Sequence, residues 1–200
     1  MDSLVNKIVS YLTSGINLDV VTIDSKNKKE EKSEEKSKLP SKVQSAINKL
    51  KTVYGLDITQ KHIDKELEQE GSWREDAGGV NQEAQTSITK LIKDCNSKFG
   101  NLGGIVSGYR SYDKQVENFG SKAVKRGIDD VQASNTLPGF SEHHTGNAFD
   151  IFSTEESWWN NKPDVKKWVA DNASKYGFRI TYKTQGTLRV AEPWHLYYTK

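Results

Sequence analysis

The ten residues Ser141-Glu-His-His-Thr-Gly-Asn-Ala-Phe-Asp150 combine two histidines, the Asp150 carboxylate and a turn glycine. Imidazole nitrogen and carboxylate oxygen suit a metal such as zinc, whose catalytic sites keep three protein ligands and one open position. His143 and Asp150 reach one ion only if the chain between them folds back. Thr145-Gly146 supplies that turn, because glycine accepts positive φ without a Cβ clash. From Asn147 to Phe152 the pattern reads as a strand, with Ala148 and Asp150 on one face and Phe149 and Ile151 on the other. The small Ala148 leaves room beside Asp150 for an ion. Near the C-terminus, Glu192-Pro-Trp-His195 offers a third ligand. His144 is a ligand candidate in place of His143, or else a turn residue or pocket wall.

The elements that must position these groups are predicted from periodicity. Val80, Ala84, Ile88, Leu91, Ile92, Cys95 and Phe99 follow helical spacing, and the glycines at 100, 103 and 104 end that helix. Ile105-Val106 then begins a buried strand that delivers Tyr109 and Arg110. A helix over 113–126 turns Val116, Phe119, Ala123 and Val124 inward. Trp158 and Trp159 read as core lids or as walls of a substrate groove, core packing being the simpler role. Val165, Trp168, Val169 and Tyr176 mark another helix, closed by Gly177. Short strands are expected over 178–183, 188–191 and 194–199, with a turn around 184–186. The predicted fold class is α+β, helices packed on a central antiparallel sheet, preceded by a short N-terminal arm and a charged linker.

Four segments follow: an arm over 1–25, a flexible charged linker over 26–40, a helical extension over 41–79 and the domain bearing the motifs over 80–200. The arm carries Leu4, Ile8, Tyr11 and Leu12 at helical spacing, but Asp2, Asn6 and Lys7 interrupt any secretory signal. It packs on the main domain or docks on another protein, such as a virion component. Residues 26–38 hold six lysines, four glutamates and no apolar side chain, so nothing offsets their ordering entropy. In the extension, Val43, Ile47 and Leu50 face inward until Gly55, and Thr59 caps a helix that buries Ile63 and Leu67. His62 and Glu66, four apart, could share an ion, but a solvated pair is the simpler reading. Gly71, Gly78 and Gly79 mark an ill-defined loop.

Composition narrows the class. A net charge of +2 over 200 residues argues against a protein built to hold nucleic acid. The single cysteine, Cys95, excludes an intramolecular disulfide and reads as a small core residue. No stretch approaches the roughly 20 apolar residues that span a bilayer.

Ser-x-His-x-x-Gly-x-Ala-x-Asp followed by Glu-Pro-Trp-His resembles the zinc D-Ala-D-Ala metallopeptidases, the VanY-like branch of the fold shared with lysostaphin and hedgehog. Ser107-Gly-Tyr-Arg-Ser-Tyr112, with Gln115 beyond, resembles that family's third motif, and the likeness covers roughly residues 80–200. Two positions depart from the pattern and bear on substrate choice: His144 stands where glutamine is usual, and Tyr197 where arginine is frequent. The resemblance implies His143, Asp150 and His195 as ligands of Zn²⁺, leaving net charge +1 on the centre. It implies Glu192 as general base and proton donor, and Arg110 as the complement of the oxyanion. Ser141, Tyr112, Gln115 and Trp194 are then substrate-binding candidates. The implied activity is hydrolysis of peptidoglycan stem peptides, of the D-alanyl-D-alanine carboxypeptidase type. Two alternatives stay open: an endopeptidase such as a phage endolysin or tail-associated lysin, and a non-catalytic interaction protein that keeps the fold. Without a secretory signal, the expected course is cytoplasmic synthesis, with action on the wall if the protein is an endolysin or virion-borne.

Overall fold

Four short antiparallel strands carry the motifs, and the computed structural model describes them within residues 39–182 and 192–200. They are β1 (Ile105–Ser107), β2 (Ala148–Ile151), β3 (Phe178–Ile180) and β4 (His195–Tyr198), in spatial order β1-β2-β4-β3. The expected α+β class holds, with helices packed against one antiparallel sheet. The arm, the linker, the strand expected over 188–191 and the turn around 184–186 lie outside the described residues.

One core forms beneath the sheet. Helix α3 (Gln82–Phe99) buries Ala84, Ile88, Leu91, Ile92 and Cys95, the spacing of a single helical face. Asn81 starts it, its side chain accepting the amides of Glu83 at 3.0 Å and Ala84 at 3.3 Å. Helix α7 (Pro163–Asn172) adds Val165 and Val169, with Pro163 in the first turn, where its missing N–H costs nothing. Between β2 and α7, the short helix α6 (Glu156–Asn160) drives Trp159 fully into this core, while Trp158 stacks on Phe152 at 6.0 Å. Both tryptophans are therefore packing residues. Burial pushes the Cys95 thiol up to about 11, which leaves it inert at neutral pH.

A second core joins α1 (Ser41–Tyr54), α2 (Gln60–Glu70), α4 (Tyr112–Arg126) and α5 (Ile128–Gln132) around Leu50, Phe119, Val131, Leu137 and Phe140. Helix α1 lies so close to α4 that a Cβ at Gly120 would run into the Tyr54 ring. Two expectations fail in these elements. Val124 is 59 % exposed, because the inward face of α4 runs through Val116, Phe119 and Ala123 and leaves 124 on the outer side. Ile105 and Val106 are 41 % and 52 % exposed, because β1 is an edge strand rather than a buried one. No helix among the described residues is long and apolar enough to cross a membrane.

Candidate metal centre and catalytic cleft

The sheet register builds the site. Asp150 pairs with His195 across β2 and β4, so both side chains leave the same face, with Ala148 opposite Tyr197 two residues along. His195 Nδ1 lies 3.0 Å from Asp150 Oδ1. His143 comes from a 3₁₀ turn, Glu142–Thr145, that Gly146 closes at φ 71° to feed the chain back into β2. Its Nε2 lies 3.3 Å from Asp150 Oδ2. One ligand atom from each of the three residues falls within 4.8 Å of the others. Two ligands on a tetrahedral ion with bonds of about 2.0–2.1 Å stand roughly 3.3 Å apart, so this donor set fits a divalent metal.

Each imidazole has its remote nitrogen occupied. His143 Nδ1 lies 2.7 Å from the Gly108 carbonyl and donates to it, which leaves Nε2 for a ligand role. His195 Nε2 lies 3.1 Å from Glu142 Oε2, which leaves Nδ1 facing Asp150. Glu142 is 1 % exposed and also accepts from Arg179 Nη2 at 3.0 Å and Thr181 Oγ1 at 2.8 Å. Sequence reasoning assigned it no role. Its partners lie 37, 39 and 53 residues away, and only its place beside a ligand could have marked it. Such outer partners fix the tautomer and aim of ligating histidines.

The charges follow from these contacts. Burial works against Asp150, yet the His143 and His195 imidazoles beside it hold its carboxyl well below the usual carboxylate range. Burial also opposes a charge on His195, but Asp150 and Glu142 outweigh it and carry the imidazole up to about 10. His143 moves the other way: burial lowers it despite Asp150.

His144 turns away from this cluster. Its Nδ1 donates to the Arg110 carbonyl at 2.6 Å, its Nε2 accepts the Gly139 amide at 3.1 Å, and its ring meets Tyr112 edge-on at 4.7 Å. Burial pulls it down to about 4, so it stays neutral and structural. Both histidines thereby fix Arg110, whose own amide donates to the His143 carbonyl at 3.1 Å. The guanidinium is held by Gln115 Oε1 at 2.9 Å and Ser107 Oγ at 3.1 Å. Gln115 is anchored in turn through the Thr136 carbonyl at 2.7 Å.

A cavity of about 530 Å³ opens over the cluster. Arg110, Gln115, Ser141, Glu192 and Trp194 line it together with the three ligand candidates. Ser141 also caps the 3₁₀ turn, accepting the His143 amide at 3.4 Å. Glu192 and His195 are joined by a tight turn, His195 N to Glu192 O at 3.1 Å, and both line the cavity. Tyr112 is not brought to the cavity: its hydroxyl donates to the Arg74 carbonyl at 2.6 Å, on the side of His144. Tyr197 also lies off the lining, its ring under Arg179 at 4.9 Å. Among the wall residues that escaped the sequence reading are Lys122 and Tyr182, the latter with its ring 5.0 Å from that of His195.

The loop expected to be ill-defined instead clamps the motif from behind. Arg74 N donates to Gly139 O at 2.7 Å, Ala77 N to His144 O at 2.9 Å, and Asn81 N to Gly146 O at 3.0 Å. Asp76 accepts from the Tyr109 hydroxyl at 2.5 Å and from the amides of Gly78 and Tyr112 at 3.0 and 3.1 Å. Burial opposes its charge, but these donors lower its pKa overall. His62 and Glu66 turn to separate partners. His62 Nδ1 accepts the Thr59 amide at 3.0 Å as a helix cap, and buried Glu66 accepts from Leu137 N at 2.9 Å and Gln132 Nε2 at 3.0 Å.

Known proteins are similar to this chain. A putative carboxypeptidase of Bacillus subtilis, YodJ, is 39 % identical over 126 residues, which are 60 % of this chain and 46 % of that protein. A D-alanyl-D-alanine carboxypeptidase of Enterococcus faecium is 30 % identical over 149 residues, 72 % of this chain and 40 % of its own. The chain thus spans less than half the length of these curated relatives. The crystal structure of an L,D-carboxypeptidase, DacB, of Streptococcus pneumoniae superposes with a TM-score of 0.51 at 32 % identity, over 60 % of this chain and 67 % of DacB. The family described as VanY, D-alanyl-D-alanine carboxypeptidase, matches residues 78–200. With the match spanning most of its length, this chain belongs to the VanY family of D-alanyl-D-alanine carboxypeptidases.

Proposed function

We propose that the protein is a zinc-dependent peptidase that removes the terminal D-Ala from peptidoglycan stem peptides. The observation that carries this reading is the convergence of His143, Asp150 and His195 in the wall of a cavity that Arg110 and Glu192 also line. A group of two imidazoles and one carboxylate is a donor set zinc accepts, and the chemistry zinc supplies when bound is carbonyl polarisation and a water of lowered pKa.

The chain's own residues account for the rest. Glu192, beside His195 in the turn, takes the proton of the attacking water and returns it to the leaving amine. Arg110 meets the negative charge that develops on the scissile carbonyl oxygen, and Gln115 and Ser107 hold its guanidinium so that little reorganisation is needed. Ser141 and Trp194 form the wall against which the peptide lies. Tyr112 is left out of the substrate-binding set, because its hydroxyl is engaged on the far side of His144. The relatives reported above are carboxypeptidases, so the endopeptidase and non-catalytic readings are not favoured. A second reading, cleavage of an L,D bond, is favoured by the likeness to DacB.

Peptides ending in D-Ala-D-Ala and in L,D-linked D-Ala, incubated with the metal-analysed protein and followed by mass spectrometry, test the proposal. Loss of one D-Ala from the first, abolished by a chelator and restored by zinc, is the expected result. Loss only from the second would move the specificity, and loss from neither would overturn the reading.

A further inference from the structure

The cavity lining holds both signs of charge. Its carboxylates are Asp150, Glu156 and Glu192, and its cations are Arg110 and Lys122, the latter lined up with the uncharged Asn118, Ser134, Asn135 and Thr136. Lys122 is three turns along α4 from the motif that delivers Arg110, and nothing in that motif requires it. Its Nζ donates to Asn135 Oδ1 at 3.3 Å, and an ammonium has three donors, so donors remain for a ligand in the cavity. Burial lowers the pKa of Lys122, and the neighbouring charges of Arg110 and Arg126 lower it further, against the opposite pull of Glu192. Two partly desolvated cations in one cavity repel each other until an anion arrives.

We infer that Lys122 is the anchor for the free C-terminal carboxylate of the peptide substrate. This rests on the peptidase reading above and adds to it the residue that makes the cleavage terminal. In a carboxypeptidase the substrate's carboxylate lies one residue beyond the scissile carbonyl, about 3.5 Å of extended chain. Its anchor must therefore share a cavity with the metal ligands, and Lys122 meets that condition while Arg110 serves the carbonyl oxygen. The neutral amides of Asn118 and Asn135 can complete the carboxylate's shell without adding charge. A peptide lacking the terminal carboxylate leaves the half-buried Lys122 without its anion, so binding discriminates against it.

The test compares N-acetyl-D-Ala-D-Ala with its C-terminal amide on the zinc-loaded full chain. The wild type should favour the acid by about 10- to 100-fold in kcat/KM, the worth of one charge-assisted hydrogen bond. Lys122→Gln should erase most of that preference by raising KM for the acid with kcat little changed, while the amide is handled as before. Lys122→Arg should keep the preference, since it restores the charge. An unchanged acid-to-amide ratio in Lys122→Gln would overturn the inference. So would an equal loss on both substrates, which would make Lys122 a partner of Glu192 instead. Binding of the same two peptides in a Glu192→Gln background, read by calorimetry, separates this from the reaction. If neither peptide is cleaved, the D,D specificity of the proposed function falls, yet a binding preference for the acid that disappears with Lys122→Gln still supports the anchor, and one that persists rejects it.

Discussion

Replacing Glu142 by glutamine tests how far the metal site is held from outside its ligands. The carboxylate serves three donors at once, Arg179 at 3.0 Å, Thr181 at 2.8 Å and His195 at 3.1 Å. Glutamine keeps the shape but has one acceptor oxygen. If that oxygen stays with Arg179, the amide N–H faces His195 Nε2 and drives the imidazole proton onto Nδ1, the atom needed for the metal. If it stays with His195, the amide meets the guanidinium donor against donor. Either way one charge-assisted hydrogen bond is lost, about 1.5–3 kcal/mol. That agrees with the roughly 10- to 100-fold in metal affinity typical of outer-shell partners.

The pH dependence gives the argument its sign. In the metal-free site His195 is raised to about 10, so it is charged at neutral pH and must release a proton before Nδ1 can ligate. His143 is lowered and already neutral, so it releases none. Metal uptake should therefore free about one proton, and log affinity should climb by about one per pH unit until the pH nears that value. Glu142→Gln weakens the hold of the proton as well as that of the metal. The deficit should be full, about 10- to 100-fold, only once the pH passes about 10, and should be smaller at neutral pH. Competition with a chelator reads the affinity, and calorimetry in buffers of different ionisation heat reads the proton. Wild-type affinity in the variant above about pH 10, or a deficit that widens as pH falls, would refute the reasoning.

Glu192→Gln should lower kcat by about 10²–10⁴-fold with metal content unchanged, since it removes the proton acceptor and no ligand; metal analysis beside turnover checks both halves. His143→Ala should lose the metal. His144→Ala should keep it but lose about 1–3 kcal/mol of stability in urea unfolding, because the Arg110 carbonyl and Gly139 amide are left without their partner. Gly146→Ala should cost about 1–2 kcal/mol for a left-handed backbone and about 1–3 more for a Cβ driven against the Gly79 carbonyl. A melting temperature equal to that of the wild type would show that the turn is not under that constraint.

Two of the three candidate ligands, His143 and Asp150, were legible because they are local, whereas His195 stands 45 residues beyond Asp150. His143, the Gly146 turn and the two-residue period that aligns Ala148 with Asp150 are all written within ten residues, and the helices α1, α3 and α7 announce themselves by apolar spacing. The supports were not legible. Glu142, Asp76 and Glu66 look like ordinary surface carboxylates until partners more than thirty residues away close over them. β1 illustrates the converse: Ile105-Val106 reads as buried, but an edge position leaves one side of the strand without cover. Tyr112 shows a limit of motif reading, since its neighbour Arg110 enters the cavity while Tyr112 turns back to Arg74.

The loop that grips the motif from behind sets the smallest portable unit of this protein. The family resemblance begins at residue 78, yet Arg74, Asp76 and Ala77, which tie down Gly139, Tyr109 and His144, all precede it. A graft of the cleft onto another scaffold, or an exchange of halves with a relative, that breaks the chain at that point would carry every ligand and lose the brace that aims them. The junction belongs ahead of α1, because α1 and α2 share the second core with α4 and α5 and Glu66 holds the Leu137 amide.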